Sequence, residues 1–459
     1  MGVGKLSYFP LPCPISVRSP APAGLRRTGR QGSVIQRMSS SPSGWPRGIL
    51  AYFAKLMKKT ILIISTLNTK REETLYLKER VESLGLRALL MDVSMRGDVA
   101  AEGDIPPDRV AEAGGSRFED ISQSKDRARI TNIVIAGAST IAKQLKAEDK
   151  IQAVTGMGGA TGTLMVTEVM RSLPFGFPKL MISSAAALPG LSTRYIGTGD
   201  IILFHSVIEL SGLSDLLKNV FDRAAGALAG MVQGEVTSPG TGKGTAIALT
   251  MLGPCDECAS RVQAELQKSG YQVIGFHAAG ICDRAMEEMI SQELFQGVVD
   301  LAPGGVGEHL FGFTRDAGPD RLESAGRIGI PQVISTCSVN HITPSKSRYT
   351  PEHHQRAKYD LDKFRTWLRI SPDELKQVAD VFAEKLNRSS GPVRMVIPLD
   401  GWSSVDIPGN ATHNPEEDRI FIETLREKLN PEIQIVEVQA NMEDEDFARA
   451  VVRTSLEMF

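Results

Sequence analysis

From residue 58 onward the chain alternates short apolar runs with longer stretches whose apolar positions recur at helical spacing. Residues 61–65, 87–93, 151–155 and 179–183 read as buried strands, punctuated by Gly and Pro. Residues 72–84 read as a helix, and residues 129–146 as a crossover helix. A second series follows, with strands at residues 245–251, 272–276, 297–301, 332–335, 394–398 and 433–438. Helical patterns at 259–269 and 372–386 separate them. Continuous apolar strands that alternate with helices belong to parallel sheets covered on both faces. The fold class is therefore α/β, with two Rossmann-like lobes, each a mostly parallel sheet flanked by helices. The polar, glycine-rich stretch 234–244 divides them into lobes at residues 57–238 and 239–459.

The first 56 residues differ in kind. They contain no Asp or Glu, and Arg26, Arg27, Arg30, Arg37 and Arg47 sit among Ser, Pro and Gly. Such a segment has little to pack and is expected to be disordered. It reads either as an organelle transit peptide or as non-structural sequence upstream of a start at Met57.

Bulk composition narrows the partners. At 459 residues, with 42% hydrophobic and 23% charged residues, the chain has the make-up of a globular protein of two or three domains. A net charge of -2 gives no electrostatic footprint for nucleic acid or an anionic membrane. No apolar run approaches the roughly 20 residues that span a bilayer. Five scattered cysteines make no disulfide framework and point to a reducing, cytoplasmic compartment.

Chemistry is expected where strands run into helices. The strongest junction is Gly156-Met157-Gly158-Gly159-Ala160-Thr161-Gly162-Thr163, read as a loop leading into a helix at 164–172. Its glycines let several N–H groups converge on one anion, and the helix N-terminus adds about half a unit of positive charge. A second junction, Thr66-Leu67-Asn68-Thr69-Lys70, offers hydroxyls, an amide and an ammonium, or simply caps a helix. The third is Ser183-Ser184, and the fourth is Gly197-Thr198-Gly199-Asp200. Asp200 is read either as a Mg²⁺ ligand beside a polyphosphate or as a helix cap.

Other motifs are weaker. The run Pro239-Gly240-Thr241-Gly242-Lys243-Gly244 has Thr237 and Gly244 where a Walker A loop needs Gly and Ser or Thr, so it reads as a linker. A dinucleotide fingerprint belongs in the first strand-turn-helix unit, and this glycine loop comes late. Cys255 and Cys258 stand at a helix start, where a thiol pKa can fall, which allows a redox dithiol. His277 and His309 are candidates in loops after strands, His353 and His354 read as solvated, and His205 reads as packed within the apolar run 201–208.

Taken together these stretches resemble the Tm-1-like ATP-binding domain family, also called uncharacterised protein family UPF0261, throughout residues 57–459. Further matching stretches are Arg171-Ser172-Leu173-Pro174, Pro178-Lys179, Tyr195-Ile196-Gly197-Thr198, Phe276-His277-Ala278 and Arg284-Ala285-Met286-Glu287. The resemblance implies ATP held by the first lobe and a tendency to form a homodimer. The implied ATP-site residues are Thr66, Asn68, Thr69, Lys70, Gly156, Gly158, Gly159, Thr161, Gly162, Thr163, Ser183, Ser184, Gly197, Thr198 and Asp200. It supplies no reaction. The second lobe departs from the family at Ala302-Pro303-Gly304-Gly305, at Asn340, at Thr343-Pro344 and at residues 359–362, which implies an altered or lost site there. The TIM-barrel-like domain of longer relatives is not part of this sequence.

Two functions follow as expectations. One is a nucleotide-binding regulatory or interaction module, with ATP and possible Mg²⁺ as its ligands. The other is an enzyme acting on ATP or a phosphorylated small metabolite at the inter-lobe cleft. A dithiol oxidoreductase at Cys255 and Cys258 is a minor third. The first lobe offers no His or paired carboxylate at a strand end for acid–base work.

Overall fold

Strand β1, Thr60–Ser65, is buried along its whole length, and its alternate residues serve two cores. Ile61 and Ile63 pack with Leu77 and Val81 of helix Leu67–Ser83 and with Leu217, Phe221 and Leu228 of helix Asp215–Gln233. Leu62 and Ile64 pack on the other face with Val134 and Ala138 of helix Arg127–Ala147 and with Val166 and Met170 of helix Ala160–Arg171. A strand with helices on both faces has no solvent side, so its sequence does not alternate. The remaining strands of this sheet are β2 (Arg87–Asp92), β3 (Ala153–Gly158), β4 (Lys179–Ser183) and β5 (Ile202–His205). All pair in parallel, in the order β2-β1-β3-β4-β5.

The structure is a computed structural model that describes residues 58–97, 102–237, 244–363 and 365–459. The reading of residues 1–56, and residues 239–243 of the Walker-like run, lie outside the described residues.

The second sheet is built from β6 (Ala246–Met251), β7 (Gln272–His277), β8 (Gly297–Asp300), β9 (Gln332–Ile334), β13 (Val393–Pro398) and β14 (Gln434–Val438). These six strands are parallel, in the order β14-β13-β9-β8-β6-β7. Between β9 and β13 the chain inserts a small antiparallel sheet of β10 (His341–Ile342), β11 (Lys358–Asp360) and β12 (Thr366–Arg369), with β12 in the middle. Such short strands carry too few residues for a period-2 pattern, which is why the sequence did not announce them. The helix Pro372–Leu386 spans the residues expected of it, because Ser371 and Glu374 form a capping box and Pro372 sits at the first helical position. Its Phe382 meets Phe421 edge-on at 5.3 Å. Among the described residues, no helix is long and apolar enough to cross a membrane.

Two parallel sheets flanked by helices agree with the α/β reading, and three local expectations need correction. Strand β3 runs on through Gly158 and the next helix begins at Ala160, so the expected eight-residue loop shrinks to Gly159 between a strand end and a first helical turn. His205 is exposed on edge strand β5 instead of packed, because no strand among the described residues pairs beyond it. His353 is buried instead of solvated; its ring lies against Phe313 and Tyr349, and its Nδ1 accepts the Thr350 N–H at 3.2 Å.

Candidate functional site

After β1 the chain moves to β2 on one side, then returns to β3 on the other. The loops leaving β1 and β3 therefore diverge and open a crevice at the carboxyl edge of the sheet, the usual ligand position in such folds. A cavity of about 440 Å³ lies there. Thr66, Asn68, Thr69 and Lys70 line it from the β1 exit, and Gly158, Gly159, Ala160, Thr161 and Gly162 from the β3 exit.

The glycines in this wall have different reasons to be glycine. A Cβ on Gly156 would stand 2.5 Å from the Ile64 carbonyl oxygen, and one on Gly158 would stand 2.8 Å from the Cα of Gly162. Both let helix Ala160–Arg171 sit tightly on the sheet. Gly159 has φ -78° and ψ -161°, which any residue adopts, and a Cβ there would meet only Ser184 Oγ at 3.8 Å. Gly162 is inside the helix, where glycine costs about 1 kcal/mol relative to alanine, yet a Cβ would meet only the Met157 carbonyl oxygen at 3.6 Å. Folding therefore does not require glycine at 159 or 162. Glycine at both positions leaves the backbone open toward the cavity.

The electrostatics favour an anion. No side chain caps the helix that begins at Ala160, so its first N–H groups face the cavity with the positive end of the helix dipole. The neighbouring helix Leu67–Ser83 is different, because Leu67 N donates to Asp92 Oδ1 at 3.1 Å and Asn68 N to Ser94 Oγ at 3.2 Å. Its first turn is pinned further by the Thr66–Thr69 hydroxyl bond of 2.9 Å and by Lys70, whose backbone leaves helical geometry and whose ammonium donates to the Leu210 carbonyl. Lys70, Arg96 and Arg127 line the cavity, with no carboxylate among the described lining residues.

Sequence reading missed Arg96 and Arg127. Arg96 follows the end of β2, which is the signal that could have found it. Arg127 opens a helix more distant in the chain, and only the strand order brings it near Gly159.

The other expected site residues divide. Thr163 and Ser183 face inward: their hydroxyls share a 2.6 Å bond, and Ser183 Oγ also accepts from Ala185 N at 3.0 Å. They tie the helix to the end of β4. Half-buried Ser184 lies beside Gly159 and reaches Glu209 at 3.3 Å. Gly197, Thr198 and Asp200 are not gathered into the cavity. Thr198 Oγ1 donates to Glu288 Oε2 of the second lobe at 2.6 Å. Asp200 accepts from the Lys179 ammonium at 2.5 Å and from Gly176 N at 2.8 Å, so both of its oxygens are engaged. Lys179 is buried, which pushes its pKa down, and Asp200 opposes that shift.

The cysteines answer differently from the helix-start expectation. Cys255, Cys258 and Cys337 are free and buried in the core of the second lobe. Burial pushes the Cys258 and Cys337 thiols well up instead of down, which disfavours thiolate chemistry. His309 Nδ1 pairs with Asp316 Oδ1 at 2.8 Å.

Comparison with known proteins places the whole described chain. The N-terminal domain model of uncharacterised protein family UPF0261 matches residues 59–237, and its C-terminal domain model matches residues 244–459. A UPF0261 protein of Clostridium tetani is 34% identical over 404 residues, covering 88% of this chain and 99% of that protein. A UPF0261 protein of Rhizobium meliloti is 32% identical over 397 residues, covering 86% and 98%. The ToMV susceptible protein tm-1(GCR26) of Solanum lycopersicum is 30% identical over 426 residues, and the match spans 87% of this chain and 55% of the tomato protein. With both domain models matched in order along one chain, this protein belongs to the UPF0261 family.

Proposed function

We propose that the protein binds a nucleotide, ATP, in the β1/β3 crevice and acts as a nucleotide-responsive regulatory or interaction module. The observation that carries this reading is the pair Gly159 and Gly162, glycines without a steric reason at an uncapped helix start. The phosphates lie against the N–H groups that follow Gly159, and Lys70, Arg96 and Arg127 offset their charge. Mg²⁺ enters with the phosphates. The family resemblance supports ATP over other anions, and it supports a homodimer. Edge strand β5 and the bend after it offer a surface for a second copy, with Ile202 45% and Val207 77% exposed.

Thermal unfolding of the full chain with ATP, ADP, NAD, coenzyme A and sugar phosphates tests the reading. At about 100 times its dissociation constant, ATP stabilises by about 2.7 kcal/mol if it binds only the native state. No shift with any nucleotide overturns the proposal.

The second reading, an enzyme between the lobes, rests on a cavity of about 380 Å³ lined by Lys143 and Arg171 of the first lobe and Arg284 and Arg327 of the second. Phosphate release from ATP over time separates it from a binding module.

A further inference from the structure

We propose that the second lobe carries its own ligand site, for a small organic anion with an apolar body, on the carboxyl edge of its sheet. A cavity of about 740 Å³ opens there, and nothing in the nucleotide reading uses it. The ends of β6 and β7 make its floor, through Leu252, Pro254 and His277. The inserted antiparallel sheet makes its roof, through Thr343 and Trp367, so an edge that would otherwise be open is bounded.

The strand order places the usual crevice between β6 and β8, and that crevice is closed. A Cβ on Gly304 would stand 2.2 Å from the Ser338 carbonyl oxygen, and one on Gly305 would stand 2.5 Å from Ala317 Cβ. Gly304 is glycine because the Ser338 backbone lies on it, and Gly305 because the Ala317 side chain does. The loop after β8 is sealed, and the open space lies over β6 and β7.

The lining sets the ligand chemistry. It contains no Asp or Glu, and its cations are Arg315 and Arg365. Arg315 is held rigidly: Nε and Nη2 donate to Glu308 Oε1 at 3.1 and 2.9 Å, and Nη1 donates to Ser338 Oγ at 2.7 Å. Glu308 is fully buried and also accepts from Thr343 Oγ1 at 2.8 Å. The guanidinium is thereby aimed in advance, with its charge balanced from behind. Arg365 stands at the rim, 68% exposed, in a surface pair with Asp362 that an incoming anion can displace. Leu252, Pro254, Val405 and Trp367 supply the apolar wall. Trp367 is itself fixed between the rings of His341, at 5.9 Å, and Tyr359, at 6.3 Å. A guanidinium beside a rigid aromatic wall fits a carboxylate or phosphate carried on a ring or chain.

The test is calorimetric titration of the full chain with benzoate, phenyl phosphate, inorganic phosphate and neutral benzyl alcohol, with tryptophan fluorescence as a second readout. Saturable binding of benzoate or phenyl phosphate is expected, and whichever is tighter names the head group. The fluorescence change should vanish in Trp367→Phe, a variant that keeps Trp45 and the buried Trp402, whose indole N–H is bonded to the Pro398 carbonyl. Affinity should fall by about tenfold in Arg365→Ala, as for loss of a charge-assisted bond. Arg315→Lys is a second probe, but it disturbs the bond to Glu308, so Arg365→Ala at the exposed rim decides. No saturable binding of either aromatic anion, equal affinity for benzyl alcohol, or unchanged affinity in Arg365→Ala each overturns the proposal. Inorganic phosphate binding as tightly as phenyl phosphate overturns the apolar requirement and with it the proposal.

Discussion

A Cβ on Gly158 would come within 2.8 Å of the Cα of Gly162, whereas a Cβ on Gly159, the next residue, would meet only a serine hydroxyl at 3.8 Å. Adjacent glycines thus answer to different demands, one to packing and the other to the space above the helix. Gly158→Ala is expected to destabilise the protein by about 1–3 kcal/mol, because backbone has to move. Gly159→Val should cost about 1 kcal/mol or less and should abolish the thermal shift with ATP. Urea unfolding with and without ATP separates the two effects. If Gly159→Val binds ATP normally, the crevice is not the site.

Gly162 offers a sharper trade. Gly162→Ala should stabilise the free protein by about 0.5–1 kcal/mol, since the helix gains a better residue without a clash. It should also weaken ATP. A variant that is more stable and binds as well as the parent would remove Gly162 from the site.

The buried ammonium of Lys179 pairs with the more exposed Asp200, away from the crevice. Asp200→Asn leaves a buried ammonium without its counter-charge and should cost about 3 kcal/mol. It should leave ATP affinity and its Mg²⁺ dependence unchanged. A selective loss of Mg²⁺ dependence in a stable Asp200→Asn protein would restore the metal-ligand reading.

A buried network in the second lobe predicts opposed pH effects. Burial pushes Asp418 up to about 7, although Arg369 pulls it down, and burial pushes His341 down to about 3. For Asp418 the folded value is raised, so its stabilising contribution is full below about pH 4 and is lost as the pH rises through about 7. For His341 the folded value is lowered, so its contribution is full above about pH 6.5 and is lost as the pH falls toward 3. The two slopes largely cancel between about pH 4.5 and 6.5. Relative to the parent, Asp418→Asn should therefore lose stability as the pH falls through that window, and His341→Gln should lose it as the pH rises. Urea midpoints at several pH values test both signs.

Arg321 is fully buried among Asp283, Glu287 and Asp300. Arg321→Met should destabilise by about 3–5 kcal/mol, because it strands buried carboxylates whose pKa values burial already raises at 283 and 287. Adding Glu287→Gln to Arg321→Met should recover part of the loss. Simple additivity of the two costs would deny the coupling.

The sequence by itself determined the local features. Runs such as Ile61 to Ile64 must be buried on both faces, Ser371 to Glu374 must start a helix, and residues 156 to 163 must join a strand to a helix. Those outcomes depend on propensity, capping and spacing within a few residues. It did not show that the junction narrows to Gly159, since that depends on how closely the helix settles on β1 and β3. Strand order, a long-range matter of which edges pair, decided the rest. It brought Arg96 and Arg127 to Gly159 and Asp200 to Lys179, while contact between the two lobes brought Thr198 to Glu288. In the second lobe it let the backbone of Ser338 close one crevice while the inserted sheet roofed another. Side chains far apart along the chain become neighbours only through packing, and no local pattern records that.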